Sequence, residues 1–304
     1  MISINDYKPI TTEELTNLTN TLCFIGPPID QRGEDLTAAL NNTGLIVQVS
    51  FQVKEYSIEV DGNKVGTVGL NGYLNNIIEG KEFDTIYIES TTLGFVEVLL
   101  LLKWFSKSKI STLNVIYAEP NKYKSRTNYM SDFGKHEFDL STHTEGFKAI
   151  PGFAKALSQS TKSILISSMG FERSRLGQLL SLDDGAYINS VVPIFGTPPY
   201  QTGWDKHSYF QNVEVLSSKG EKPQFVAANS PIDMLEMLEY IKGSCGEDNE
   251  ITLAPLGTKP MSIASAVFLI NNPKITLKYD HPKRKGSRST GLGKIHLYEI
   301  KRQI

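Results

Sequence analysis

Residues 251 to 270 read ITLAPLGTKPMSIASAVFLI. An apolar run stops at Pro255-Leu256-Gly257-Thr258-Lys259-Pro260 and helix formers follow, so Thr258 and Lys259 fall where a strand gives way to a helix. A threonine hydroxyl can cap the new helix, and proline is tolerated in the first turn because its missing N–H would be unpaired there anyway. The unpaired N–H groups of that turn, with the lysine charge beside them, suit an anion. A Walker loop is excluded, since it needs a glycine five residues before a Gly-Lys pair and here Thr258 separates Gly257 from Lys259. Two readings stand: an anion or phosphate site, and a well-capped helix start with a solvated lysine.

A second segment, SMGFERSR at 168 to 175, sets Glu172, Arg173 and Arg175 in the first helical turns after Gly170. An arginine fork matches phosphate or carboxylate, and Glu172 can orient it or accept a ribose hydroxyl. The competing reading is an exposed helix start whose acid favours the positive dipole end. In the first half, Glu89 ends TIYIES and Glu119 lies in YAEPNKY, so two carboxylates at strand ends can face one crevice and do acid/base work or share a metal. No histidine stands beside either in sequence, and structural acids are common at such positions. Lys283, Arg284, Lys285, Arg288 and Lys294, with glycines and serines between them and no acid, form a basic hairpin that can close over phosphates or touch a nucleic-acid backbone. A solvated surface loop explains the same run. Residues 196 to 212 gather Tyr200, Trp204, His207, Tyr209 and Phe210 into what reads as a loop, either a base-stacking lid or a loop tied down by its aromatics.

These residues need a scaffold, and the pattern supplies one. Strand-like runs at 21–26, 45–51, 85–90 and 112–120 alternate with helix-like segments, and 56–68 reads as a hairpin around Asp61-Gly62-Asn63. A polar stretch from Asn121 to Pro151 separates this half from a second alternation, with strands at 163–170, 187–196, 224–230, 251–257, 274–279 and 294–300. The expected fold is α/β: Rossmann-like, largely parallel sheets with helices on both faces in two lobes, residues 1–150 and 151–304, the second carrying the GTK turn and the basic C-terminal hairpin. In such sheets ligands lie beyond the carboxyl ends of the strands, which is where Gly170, Glu172, Arg173, Gly257, Thr258 and Lys259 fall.

The chain has 304 residues, 40% hydrophobic and 21% charged, which suits a globular protein with a well-buried core. A net charge of -2 gives no global argument for nucleic-acid binding. Two cysteines, Cys23 and Cys245, make neither a disulfide framework nor a thiolate metal site. No signal-like N-terminus or membrane-length apolar stretch is present, and a cytoplasmic protein without membrane contact is expected.

With Gly257, Thr258, Lys259 and Met261 in APLGTKPMSIASA, and the glycine-bearing strand end at Ser168 to Gly170, the second half resembles the CRISPR-associated Rossmann fold (CARF) sensor domains. The resemblance implies a nucleotide-like ligand, usually held across a homodimer, contacts from Thr258 and Lys259, and a role in antiviral defence. Such domains usually precede their effector module. Here the turn lies late in the chain, so either the N-terminal region is a divergent partner domain or the effector is separately encoded. The expected function is therefore that of a sensor or accessory protein binding a nucleotide-like phosphorylated ligand, with Arg288 of the basic segment as a further contact. Two alternatives are kept: a nucleotide-processing hydrolase or transferase using Glu89, Glu119 or Glu172, and a scaffold whose basic segment docks on nucleic acid or a partner. No cofactor is specified by these residues.

Overall fold

The structure is a computed structural model that describes residues 1–130, 136–155, 162–182, 188–217, 222–246 and 249–303. Two compact units form: Met1–Lys122 with Gly286–Ile304, and Tyr123–Lys285. The cuts differ from the 150/151 boundary read from composition. The polar stretch after Asn121 begins the second unit instead of ending the first, and the C-terminal residues return to the first.

The first unit starts with β1 (Ile2–Ile10) and the short helix α1 (Thr12–Thr16), which is started by a capping box: Glu14 N–H donates to Thr11 Oγ1 at 3.1 Å and Thr11 N–H to Glu14 Oε2 at 2.6 Å. Then come β2 (Thr21–Ile25), α2 (Gln31–Leu40), β3 (Gly44–Gln52), β4 (Ser57–Val60), β5 (Asn63–Gly66), α3 (Leu70–Ile78), β6 (Thr85–Glu89), α4 (Phe95–Lys107) and β7 (Thr112–Tyr123). Asp61 and Gly62, both at positive φ, make the two-residue turn between β4 and β5 that the sequence announces.

The second unit holds β8 (Ser125–Met130), β9 (His136–Phe138), β10 (Ser141–Thr144), β11 (Lys162–Ser168), α5 (Arg173–Leu180), β12 (Ser190–Gly196), α6 (Trp204–Leu216) and β13 (Gln224–Val226). It continues with α7 (Pro231–Ser244), β14 (Asn249–Pro255), α8 (Lys259–Asn271), β15 (Thr276–Leu277) and β16 (Pro282–Arg284), before β17 (Ser289–Arg302) completes the chain in the first unit.

The first sheet has the order β1-β17-β7-β6-β2-β3-β4-β5. Its core β7-β6-β2-β3 is parallel, with antiparallel pairs at the two edges. Strand alternation sends Cys23, Ile25, Tyr87, Ile116 and Ala118 to one face, where they pack on Leu36, Ala39 and Leu40 of α2. Phe24 points the other way and meets Trp104 of α4 edge-on at 5.5 Å. The sheet is thus covered by helices on both faces.

The second sheet is parallel throughout, in the order β13-β12-β11-β14-β15. Adjacent Leu165 and Ile166 face opposite sides and both have 0% exposure, so both faces are covered here too. Helix α8 is apolar around its whole circumference, buried from Pro260 to Leu269. Its serines hide their hydroxyls in bonds to Thr258 O and Met261 O. The segment read as a basic C-terminal hairpin is no hairpin. Pro282–Arg284 pairs with β10, whereas Ser289–Arg302 lies between β1 and β7.

Candidate functional site

The strand order of the second sheet fixes where its chain reverses direction. From β11 the chain steps outward through β12 to β13, then crosses back to β14 on the other side of β11. That reversal leaves the crevice at the carboxyl ends of β11 and β14, the usual ligand position in an open α/β sheet. Ser168 pairs in register with Pro255, so Met169-Gly170 stands opposite Leu256-Gly257. The two loops singled out from the sequence are neighbours.

They are also bonded together. Gly257 N–H donates to the buried Ser168 Oγ at 3.0 Å. A side chain at Gly257 would meet Ser168 Cβ at 2.9 Å and Met261 Sδ at 3.0 Å, and one at Gly170 would stand 2.3 Å from Leu256 O. Both glycines are there because the loops approach so closely. Thr258 is the N-cap of α8, as expected: its hydroxyl receives Met261 N–H at 3.5 Å and donates to Ala228 O at 2.7 Å. That donor is therefore committed to the loop after β13, and Thr258 acts on the turn by holding it. Half-buried Lys259 opens the helix, followed by Pro260, which has no N–H to pair.

The SMGFERSR segment is divided by the structure. Glu172 sits at the N-cap of α5 without capping it, and its Oε2 accepts from Ser141 Oγ at 3.1 Å. Arg173 reaches away to Glu214 at 2.9 Å in an exposed ion pair. Arg175, largely but not fully buried, is held against the fully buried Asp280, with Nε and Nη2 each 2.7 Å from a carboxylate oxygen. Burial works against the charge, but the Asp280 carboxylate outweighs it and pushes the guanidinium pKa up. Arg175 is a strut.

Gly170 O is held from α6, by Ser208 Oγ at 2.9 Å and Asn212 Nδ2 at 2.9 Å. The expectation of a loop over 196–212 is corrected here: residues from Trp204 onward are helical. The buried face of α6 is polar, His207, Ser208, Gln211 and Asn212, while Tyr209 and Phe210 are exposed. Trp204 and His207 pack with Tyr123, Phe138 and Phe171, with ring centroids 4.5 to 5.8 Å apart for pairs such as Phe138–His207 and Phe171–Trp204. These aromatics tie α6 to its unit.

The first-unit candidates occupy three separate settings. Glu89 ends β6 with 0% exposure, and its carboxylate accepts from Thr91 N–H at 2.7 Å, Thr92 N–H at 2.9 Å and the Thr92 hydroxyl. Glu89 aligns with Ile116 on β7, so alternation sends Glu119 to the opposite face. The pairing of these two carboxylates in one crevice is therefore wrong. Glu119 meets His296 Nε2 at 2.7 Å instead, and His296 Nδ1 lies 2.9 Å from Tyr7 Oη. With the carboxylate accepting, Nε2 donates, and in a neutral ring Nδ1 then accepts a hydrogen bond from the Tyr7 hydroxyl. Burial, and then the Glu119 charge, raise the Tyr7 pKa. His296 and Tyr7 were not legible as partners of Glu119 because they lie 177 residues away and at the other end of the chain.

Arg288 belongs to the first unit, and the glycine loops belong to the second. Its Nε is 3.9 Å from Asp30 Oδ2, and Asp30 also receives Arg32 Nη2 at 3.2 Å and Ser289 Oγ at 2.6 Å. Burial raises the Asp30 pKa, but Arg32, Ser289 and Arg288 outweigh it and the net shift is downward. Among the described residues no group of three or more His, Cys, Asp and Glu is placed to hold a metal ion, and no helix is long and apolar enough to cross a membrane. No protein-family model and no curated protein matches the chain.

Proposed function

We propose that the second unit binds a nucleotide-like phosphorylated ligand in the crevice between the ends of β11 and β14, with Lys259 and the first turn of α8 receiving a phosphate. The observation that carries this reading is the reversal of strand order at β11/β14, which brings the Gly170 loop and the GTK turn to one crevice. Support comes from the charge of Lys259 at the start of a 13-residue helix, where dipole and lysine act in the same direction. The bonds from Ser168 to Gly257 and from Thr258 to Ala228 hold the turn in one shape before any ligand arrives, which lowers the ordering cost of binding.

In this reading the protein is a cytoplasmic sensor or accessory subunit of prokaryotic defence, similar to CARF domains in its GTK turn, acting as a homodimer and with a separately encoded effector. The carboxylates that an enzyme would use, Glu89, Glu119 and Glu172, are each engaged in internal hydrogen bonds, which favours binding over turnover. Mass spectrometry of the small molecules released by denaturing freshly purified protein tests the proposal. A phosphorylated, nucleoside-containing species near one per crevice is expected. Protein that carries none, and takes up none from a nucleotide mixture, contradicts it.

A further inference from the structure

A groove of about 470 Å³ in the second unit is lined by Phe225 and Val226 of β13, by Pro198 after β12 and by one flank of α7. Among the described residues β13 is an edge strand, paired only with β12. Thr197 N–H donates to Val226 O at 2.7 Å, so that carbonyl faces β12, and alternation turns the N–H and C=O of Phe225 outward. No described residue bonds them. Phe225 is 53% and Tyr240 69% exposed, unusual for large rings, and Met237 and Pro198 continue the apolar lining. Asp233 and Glu236 line the same groove, both exposed and neither in an ion pair with a described residue. Farther along α7, Glu239 is paired with Lys242, and Lys222 precedes β13 at the end away from Ala227.

Unpaired strand edges attract another strand, and proteins normally blunt them with charge or cover. Here the edge is flanked by a helix, the arrangement in which an extended peptide adds to a sheet and drops alternate side chains into pockets. The two uncompensated carboxylates select the sign of the occupant. A lysine or arginine can lay its alkyl stem on Met237 and Tyr240 and bring its charge to Asp233 and Glu236. A second copy of this chain, related by a two-fold axis, would set the same acidic patch against itself.

We propose that this groove docks an extended basic segment of a partner protein, which adds a strand to the edge of β13 and places a lysine or arginine against Asp233 and Glu236. The inference is independent of the ligand crevice and concerns how the protein is coupled to whatever it controls. Panning a phage-displayed random nonapeptide library on the full chain tests it. Selected peptides carry arginine or lysine at one position, enriched about fivefold or more over the input, and their affinity falls about tenfold for the exposed, isosteric double variant Asp233→Asn/Glu236→Gln. Backbone N-methylation of the selected peptide abolishes binding at alternate positions only. Selection of no peptide, peptides without a basic position, unchanged affinity for the double variant, or indifference to N-methylation each overturns the proposal. A dimer in sedimentation that the double variant abolishes overturns it in favour of a second copy.

Discussion

Arg175 and Lys259 are two cations beside the same pair of strand ends, and the proposed function gives them different roles: Arg175 braces the fold, and Lys259 receives a phosphate. Both SMGFERSR arginines have the residue type and setting of a ligand fork, because an arginine after a glycine loop has that chemistry. What decides the matter for Arg175 is Asp280, 105 residues farther along the chain, which takes its Nε and Nη2 donors. No local pattern announces such a partner. The pair is buried, so removing one charge is costly while the pair itself adds little. Asp280→Asn is predicted to destabilise the second unit by about 3 to 5 kcal/mol, read from urea unfolding, because it strands the guanidinium without a counter-charge. A change of a few tenths would mean that the guanidinium finds another acceptor. The same limit applies to Glu119: its carboxylate was visible, but His296 and Tyr7 were not, since pairing across β1, β17 and β7 joins the two ends of the chain.

At the scale of elements, the parallel strands and the apolar helices were legible, whereas β1, the short strands β8, β9, β10 and β16, and the polar helix were not. β2, β6, β11 and β14 are short apolar runs closed by turn residues, and α8 begins where Thr258 and Pro260 say it should. The reading of α6 as a loop failed for a physical reason. It buries His207, Ser208, Gln211 and Asn212 and exposes aromatics, so the usual apolar stripe is inverted. That inversion has a purpose in the site, since Ser208 and Asn212 hold the carbonyl of Gly170. The loop they hold has no room to spare. Gly170→Ala puts a methyl 2.3 Å from a backbone oxygen that cannot rotate away, and a loss of about 2 to 3 kcal/mol in unfolding free energy is predicted for it. A neutral result would show that the two strand-end loops are not packed as described.

At the scale of the molecule, the α/β class and the two lobes followed from the alternation of periods, whereas the path of the chain did not. β17 takes up the glycine-bearing end of that run, with Lys294 of its basic residues, yet it lies inside the first sheet, with β1 and β7 as neighbours, because its alternate residues Tyr298 and Ile300 supply buried surface on one face and Ile295 on the other. Composition alone reads that run as a surface hairpin. The second unit, by contrast, is one continuous stretch of chain with a single reversal of strand order, and the central claim rests on that reversal. The most direct test is calorimetric titration of the whole protein, and of Lys259→Ala, with nucleoside phosphates of increasing phosphate number. Wild type is predicted to bind at least one of them, with affinity rising with phosphate content, and Lys259→Ala to weaken that binding about tenfold or more at an unchanged melting temperature. Equal affinity for wild type and the variant, or no binding by the folded wild-type protein, would contradict the assignment of the crevice as a phosphate site.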